Sequence, residues 1–132
     1  MNVFSKDTLK GIFLSHPKAE IIVSKDGNTS LGYRTRLRIT LRGKESFLLA
    51  VHRSLYQHDI DSRILKTESS HRPRPVLRIT GVENLRKFMN TFILDFSNVD
   101  WHSLDKTLRM VEKGEHLTSK GFDDILEMKG AI

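Results

Sequence analysis

Residues 31–41 read LGYRTRLRITL, and the alternation inside this stretch sets the architecture of the whole chain. Tyr33, Leu37, Ile39 and Leu41 fall on one parity; Arg34, Arg36, Arg38 and Thr40 fall on the other. A period of two sends successive side chains to opposite sides of a strand, so the stretch predicts a β-strand with one apolar and one arginine face. Residues 72–80, RPRPVLRIT, repeat the arrangement, with Leu77 and Ile79 inward and Arg72, Arg74, Arg78 and Thr80 outward. Pro73 and Pro75 lack the N–H that a central ladder uses, so this strand either starts late or lies at an edge. Outward side chains stand about 7 Å apart along a strand, so each row of guanidinium groups forms a line and not a point. Two such lines on one sheet face repel each other in water and are suited to phosphates.

Moving outward, AEIIVSK (19–25) is a strand that precedes the arginine strand, and Asp26-Gly27 supplies the positive φ angles of a tight hairpin turn. Ser5 caps a helix from Lys6 to about Ser15, which Pro17 stops. KESFLLAVHRSLYQHD (44–59) carries Phe47, Leu48, Ala50, Val51 and Leu55 at helical spacing. IDSRILKTE (60–68) is a third strand, joined to the fourth by the polar loop TESSHRP. VENLRKFMNTFIL (82–94) is helical, with Val82, Leu85, Phe88, Met89 and Phe92 on one side. WHSLDKTLRMVEK (101–113) is a further helix closed by Gly114, and a last helix enters at Thr118. The order α-ββ-α-ββ-α-α-α predicts an α+β domain whose four-stranded antiparallel sheet has its helices on one face.

At 132 residues the chain is one domain's worth, 1–132, able to bury a single core. It has no cysteine, which excludes disulfides, thiolate metal sites and Cys nucleophiles. The longest uncharged apolar run, Phe47 to Val51, is far short of a membrane span, so no membrane partner is expected. Lys6, Asp7 and Lys10 interrupt the N-terminal stretch where a signal peptide needs apolar residues. The expected setting is therefore a cytoplasmic, organellar or nucleoid interior, not a secreted one. The formal charge is +6, and it is polarised. Residues 31–80 hold eleven Lys and Arg against Glu45, Asp59, Asp61 and Glu68, whereas residues 95–132 hold eight acids against five bases. A basic middle and an acidic tail favour a polyanion on one side of the molecule.

Other groups offer little chemistry. His16 and Glu20 are four apart, but Pro17 between them breaks the helical geometry that would align them. His52 and His58 are expected on the solvated side or end of their helix, His71 in a surface loop, and His116 at a helix entry. Asp123 and Asp124 fall at the start of the last helix, where its dipole favours acids. Trp101, Phe88, Phe92 and Phe96 read as core. No Gly-rich phosphate loop and no nucleophile triad is visible.

Three stretches carry a family likeness: LGYRTRLRITL; VLRITGVENLRKF (76–88); and KGEHLTSKGFDDILEMKGAI (113–132), with its HLT-x-x-G helix entry. Through them the chain resembles the single-motif LAGLIDADG homing endonucleases over almost its whole length. The resemblance implies an αββαββα unit with extra C-terminal helices. Two copies would pair through their first helices, and the sheet strands would lie in the DNA major groove, which admits a β-ribbon. Aligned by Leu9 and Gly11, LKGIFLSHPKA (9–19) takes the place of the signature helix. The family's metal-binding acid then falls at His16 and the following glycine at Pro17. Imidazole is a poor substitute for a carboxylate on hard Mg²⁺, so the altered motif argues against cleavage.

The expectation is a double-stranded DNA-binding homodimer that has lost cleavage. Arg34, Arg36, Arg38, Arg72, Arg74 and Arg78 would make the contacts, with Arg63, Lys25 and Lys66 at the margins. The resemblance places Gly11, Phe13 and Ser15 at the dimer interface, although Lys10 stands where the pairing helix needs a small residue. No cofactor is called for, Mg²⁺ entering only if cleavage is active. The alternatives are an active metal-dependent endonuclease whose carboxylate has moved to Glu20 or Asp26, an RNA-binding intron maturase that takes structured RNA, and a protein-binding role for the acidic C-terminal helices.

Overall fold

The computed structural model describes residues 3–15, 18–92 and 99–130. In chain order the elements are α1 (Lys6–Ser15), β1 (Lys18–Lys25), β2 (Tyr33–Arg42), α2 (Glu45–Tyr56), β3 (Arg63–Leu65), β4 (Val76–Thr80), α3 (Val82–Phe92), α4 (Val99–Glu112) and α5 (Ser119–Lys129). A 3-10 turn, Glu115–Leu117, precedes α5. The strands form one antiparallel sheet of order β1-β2-β4-β3. The α+β class and the element order thus follow the expectation. Among the described residues, no helix is long and apolar enough to cross a membrane.

The alternation in β2 does what its parity predicts. Leu37, Ile39 and Leu41 are buried with Leu77 and Ile79 of β4, and the helices close over this face. α1 contributes Leu9 and Phe13, α2 Leu48, Val51 and Leu55, α3 Leu85, Phe88, Met89 and Phe92, and α4 Trp101, Leu104 and Leu108. The spacings of three and four put each set on one helix face. Phe13 is fully buried and meets Phe88 edge-on, with ring centroids 4.9 Å apart. The expectation that Phe13 faces a second copy is therefore corrected: within a single chain its ring belongs to the core.

Local chemistry sets the boundaries. Ser5 Oγ accepts from Thr8 N, capping α1 as expected. The predicted stop at Pro17 lies outside the described residues, as do His16, Ile93, Leu94 and Phe96. The β1–β2 connection is not the two-residue turn expected from Asp26-Gly27. It runs from Asp26 to Gly32, closed by Asp26 N donating to Gly32 O at 2.9 Å, and the left-handed residue is Gly32 (φ 78°). Asp26 Oδ1 instead accepts from Asn28 N, so the side chain makes the turn that the dipeptide was expected to make. β4 starts at Val76, past both prolines, and sits between β2 and β3, so the late start is the correct alternative. Val82 is exposed and not on the buried side of α3. α4 ends before a left-handed Gly114 (φ 76°), and Thr118 caps α5 by accepting from Gly121 N at 3.0 Å. Asp123 and Asp124 lie beyond the first turn of α5, and Asp124 pairs with Lys120 instead.

Candidate nucleic-acid interface

The sheet face turned away from the helices carries the even-numbered residues of β2: Arg34, Arg36, Arg38, Thr40 and Arg42. The register extends them into rows. Arg38 stands between Glu20 of β1 and Thr80 of β4, and Thr40 aligns with Arg78 of β4, which in turn pairs with Arg63 of β3. Arg36 lies beside Ile22, and Arg34 beside Ser24. Six arginines therefore share one side of the sheet with the carboxylates Glu20 and Glu68.

The predicted site residues divide on this geometry. Arg34, Arg36, Arg38, Arg63 and Arg78 line a concavity of about 520 Å³, together with Ile22, Leu37, Leu65, Thr80 and Leu85. It forms where β2 runs past the end of β4: the ladder between them begins at Arg38–Thr80, which leaves residues 33–37 with no strand on that side. Arg72 and Arg74 are exposed, but on the β3–β4 loop and not on a strand row, because β4 begins only at Val76. Lys66 follows β3 directly and is also exposed. Lys25 pairs with Tyr33 and shares the parity of the apolar face, so it does not stand in the arginine rows. Tyr33 stacks on Phe122 of α5 at 5.4 Å.

Electrostatics divide the arginines again. Arg38 Nη2 donates to Glu20 Oε2 at 3.1 Å, and the Thr40 hydroxyl donates to Glu20 Oε1. Arg42 grips Glu68 through Nε at 2.8 Å and Nη2 at 2.6 Å, a two-pronged pair. Arg78 Nη2 lies 3.9 Å from the same carboxylate. Burial alone would raise the Glu20 pKa, but the hydrogen bonds from Thr40 and Arg38 and the charges of Arg38 and Arg42 more than offset it, and the net direction is down. The Arg42 hydrogen bonds hold Glu68 below the usual carboxylate range, and the charges of Arg42, Arg72 and Arg78 add to the effect. Glu68 lies in the basic middle of the chain and Glu20 ahead of it, so neither belongs to the acidic tail. Arg34, Arg36, Arg63, Arg72 and Arg74 make no ion pair among the described residues, and the buried Nε atoms of Arg38 and Arg78 have no hydrogen-bond partner. The face is thus a mixture of neutralised and bare guanidinium groups.

Arg42 and Glu68 were not among the expected site residues. Arg42 was within reach, since it continues the even parity of Arg34, Arg36, Arg38 and Thr40. Glu68 was not, because only the folded loop carries it onto the sheet. The histidines also differ from expectation: His52 Nδ1 shares a hydrogen bond with Ser62 Oγ at 2.7 Å, and His58 packs against the Phe92 ring at 5.8 Å, so neither is simply solvated.

The family likeness implies a divalent metal at the C-terminal end of the first helix, and among the described residues no cluster of His, Asp or Glu fits one. The aligned position, His16, lies outside the described residues. Both oxygens of Glu20, the next carboxylate along the chain, are committed to Arg38 and Thr40. Asp26 is engaged in its own loop.

Neither a protein-family model nor a curated protein sequence matches the chain. Solved structures do. The homing endonuclease I-TnaI superposes with a TM-score of 0.82 at 24% identity, over 96% of this chain and 86% of that one. I-SmaMI, bound to an uncleaved DNA target in the presence of calcium ions, gives 0.82 at 16% identity over 100% of this chain. The LAGLIDADG meganuclease I-CpaMI, bound to uncleaved DNA, gives 0.75 at 20% identity over 96%. This chain has the fold of the LAGLIDADG homing endonucleases. It spans less than half the length of I-SmaMI and I-CpaMI, 46% and 43% of those chains.

Proposed function

We propose that this chain binds double-stranded DNA in the major groove through the arginine face of its sheet, as a homodimer, and has lost cleavage. The observation that carries the reading is the gathering of Arg34, Arg36, Arg38, Arg63 and Arg78 from three strands around one concavity. Strands about 4.8 Å apart make a ribbon that a groove roughly 12 Å wide admits. Two of the structural neighbours are bound to DNA, which supports duplex DNA as the polyanion. A homodimer paired through α1 is supported by the exposure of Gly11, Leu14 and Ser15 on the outer side of that helix. Loss of cleavage is supported by His16 at the aligned acidic position and by the commitment of Glu20 to Arg38 and Thr40.

The test is the salt dependence of binding to duplex DNA. Five arginines without an ion pair, each neutralising one phosphate, give a slope of log K against log[salt] of about −4.5 per protomer. Replacing Arg34 and Arg36 together by alanine should reduce that slope by about two. A wild-type slope near −1, or an unchanged slope in the folded double variant, would remove the sheet face as the DNA surface. Stronger binding to RNA of matched length would transfer the site to RNA, and nicking of bound DNA with Mg²⁺ or Mn²⁺ would restore an endonuclease.

A further inference from the structure

The two carboxylates on the basic face need a reason, because a surface built only to hold phosphates would be better without them. Resting on the DNA reading above, we propose that Glu20 and Glu68 are specificity-determining positioning residues. They convert Arg38, Arg42 and Arg78 from phosphate binders into fixed donors for base edges, and leave phosphate contact to Arg34, Arg36 and Arg63 on the strands and to Arg72 and Arg74 on the β3–β4 loop.

The geometry separates the two sets. Arg42 has two of its three nitrogens on Glu68, Arg78 lies within 3.9 Å of the same carboxylate, and Arg38 is held by Glu20 at 3.1 Å. All three side chains are partly buried, with relative exposures of 34%, 21% and 26%, whereas Arg34, Arg36 and Arg63 are exposed and unpaired. A phosphate approaching Arg42 or Arg78 meets the negative charge of Glu68 and would have to displace a two-pronged hydrogen bond. A guanine edge presents neutral acceptors, N7 and O6, and meets no such repulsion. A guanidinium already oriented by its carboxylate also loses less freedom on donating its remaining N–H groups. Counterion release follows uncompensated charge, so the paired arginines add little to the salt slope while the bare ones set it. Position agrees with this division. The paired residues occupy the part of the sheet where β2 and β4 run side by side, and Arg34 and Arg36 occupy the overhang beyond the end of β4.

The experiment uses duplex DNA selected by the wild-type protein from a randomised pool and a random duplex of equal length. Affinities for both are measured across a salt series. Glu68→Gln, which keeps an acceptor for Arg42 but removes the charge, should bind the random duplex more tightly. Its salt slope should steepen by about one, and its preference for the selected duplex should fall by about tenfold. Glu20→Gln should act in the same direction and serves if the first variant fails to fold. Arg36→Ala should lower affinity for both duplexes equally and make the slope shallower by about one. A folded Glu68→Gln protein with unchanged preference and unchanged slope would overturn the proposal while leaving DNA binding intact. A wild-type protein that binds neither duplex would overturn the DNA reading and this one with it.

Discussion

Gly121 shows how a single residue can hold the C-terminal part of this chain together. A Cβ at this position would lie 1.9 Å from the Glu115 carbonyl oxygen and 2.9 Å from Thr118 Oγ1. The obstruction is backbone, so no rotamer change relieves it. Its N–H donates to Thr118 Oγ1, and that hydroxyl in turn donates to Glu115 O at 2.7 Å. The HLT-x-x-G pattern visible in the sequence is thus a cap whose serviced carbonyl comes close enough to demand glycine. Gly121→Ala should destabilise the fold by about 3 kcal/mol through overpacking, read as a lowered urea midpoint with an unchanged m-value. A shift under a few tenths of a kcal/mol would show that the turn relaxes instead.

At the scale of elements, ion pairs join pieces that lie far apart along the chain. Glu68 ties the β3–β4 loop to Arg42 at the end of β2, and Arg86 of α3 reaches Asp105 at 3.2 Å and Glu112 at 2.6 Å on α4. Hydrogen bonds from Arg86 also hold Glu112 below the usual carboxylate range. A carboxyl whose native pKa is lowered stabilises the fold above its ordinary value, near 4.5, and that contribution is lost as pH falls through the lower native value. Wild-type stability should therefore decline in acid from about pH 4.5 downward. Glu68→Gln should be the less stable protein at pH 7 but converge on wild type near pH 2, as denaturant midpoints at the two pH values would reveal. A constant gap between the two proteins would remove Glu68 from the acid response. These clasps were the least legible features in the sequence. The strand parity of residues 33–42 was readable because the period of two is local, whereas the Arg42–Glu68 and Arg86–Glu112 pairs each span 26 positions.

For the molecule as a whole, the proposed homodimer makes a prediction at the first helix. The outer side of α1 presents Gly11, Leu14 and Ser15, while Leu9 and Phe13 face the core. A Cβ at Gly11 would meet nothing within 4 Å inside the protomer, and replacing a helical glycine favours the helix by up to about 1 kcal/mol. Gly11→Arg should consequently leave the fold intact and disrupt only a contact made between first helices. Sedimentation should find a two-chain species for wild type and a single chain for this variant. A wild-type monomer, or a variant that still pairs, would place any dimer elsewhere.

Charge polarity, the α+β order and the split of β2 into apolar and arginine sides were determined by the sequence alone, because each depends on neighbours a few positions apart. The alternation failed at Arg72 and Arg74, where prolines delay the strand, and at Asp26-Gly27, where a longer loop closed by Gly32 replaces the tight turn. Only the tertiary structure decided which arginines are bare and which are neutralised, and that the Phe13 ring of α1 belongs to the core. Those outcomes depend on residues that meet across the sheet and the helix layer. Coulomb and packing energies act over a few ångströms of space, whatever the separation along the chain.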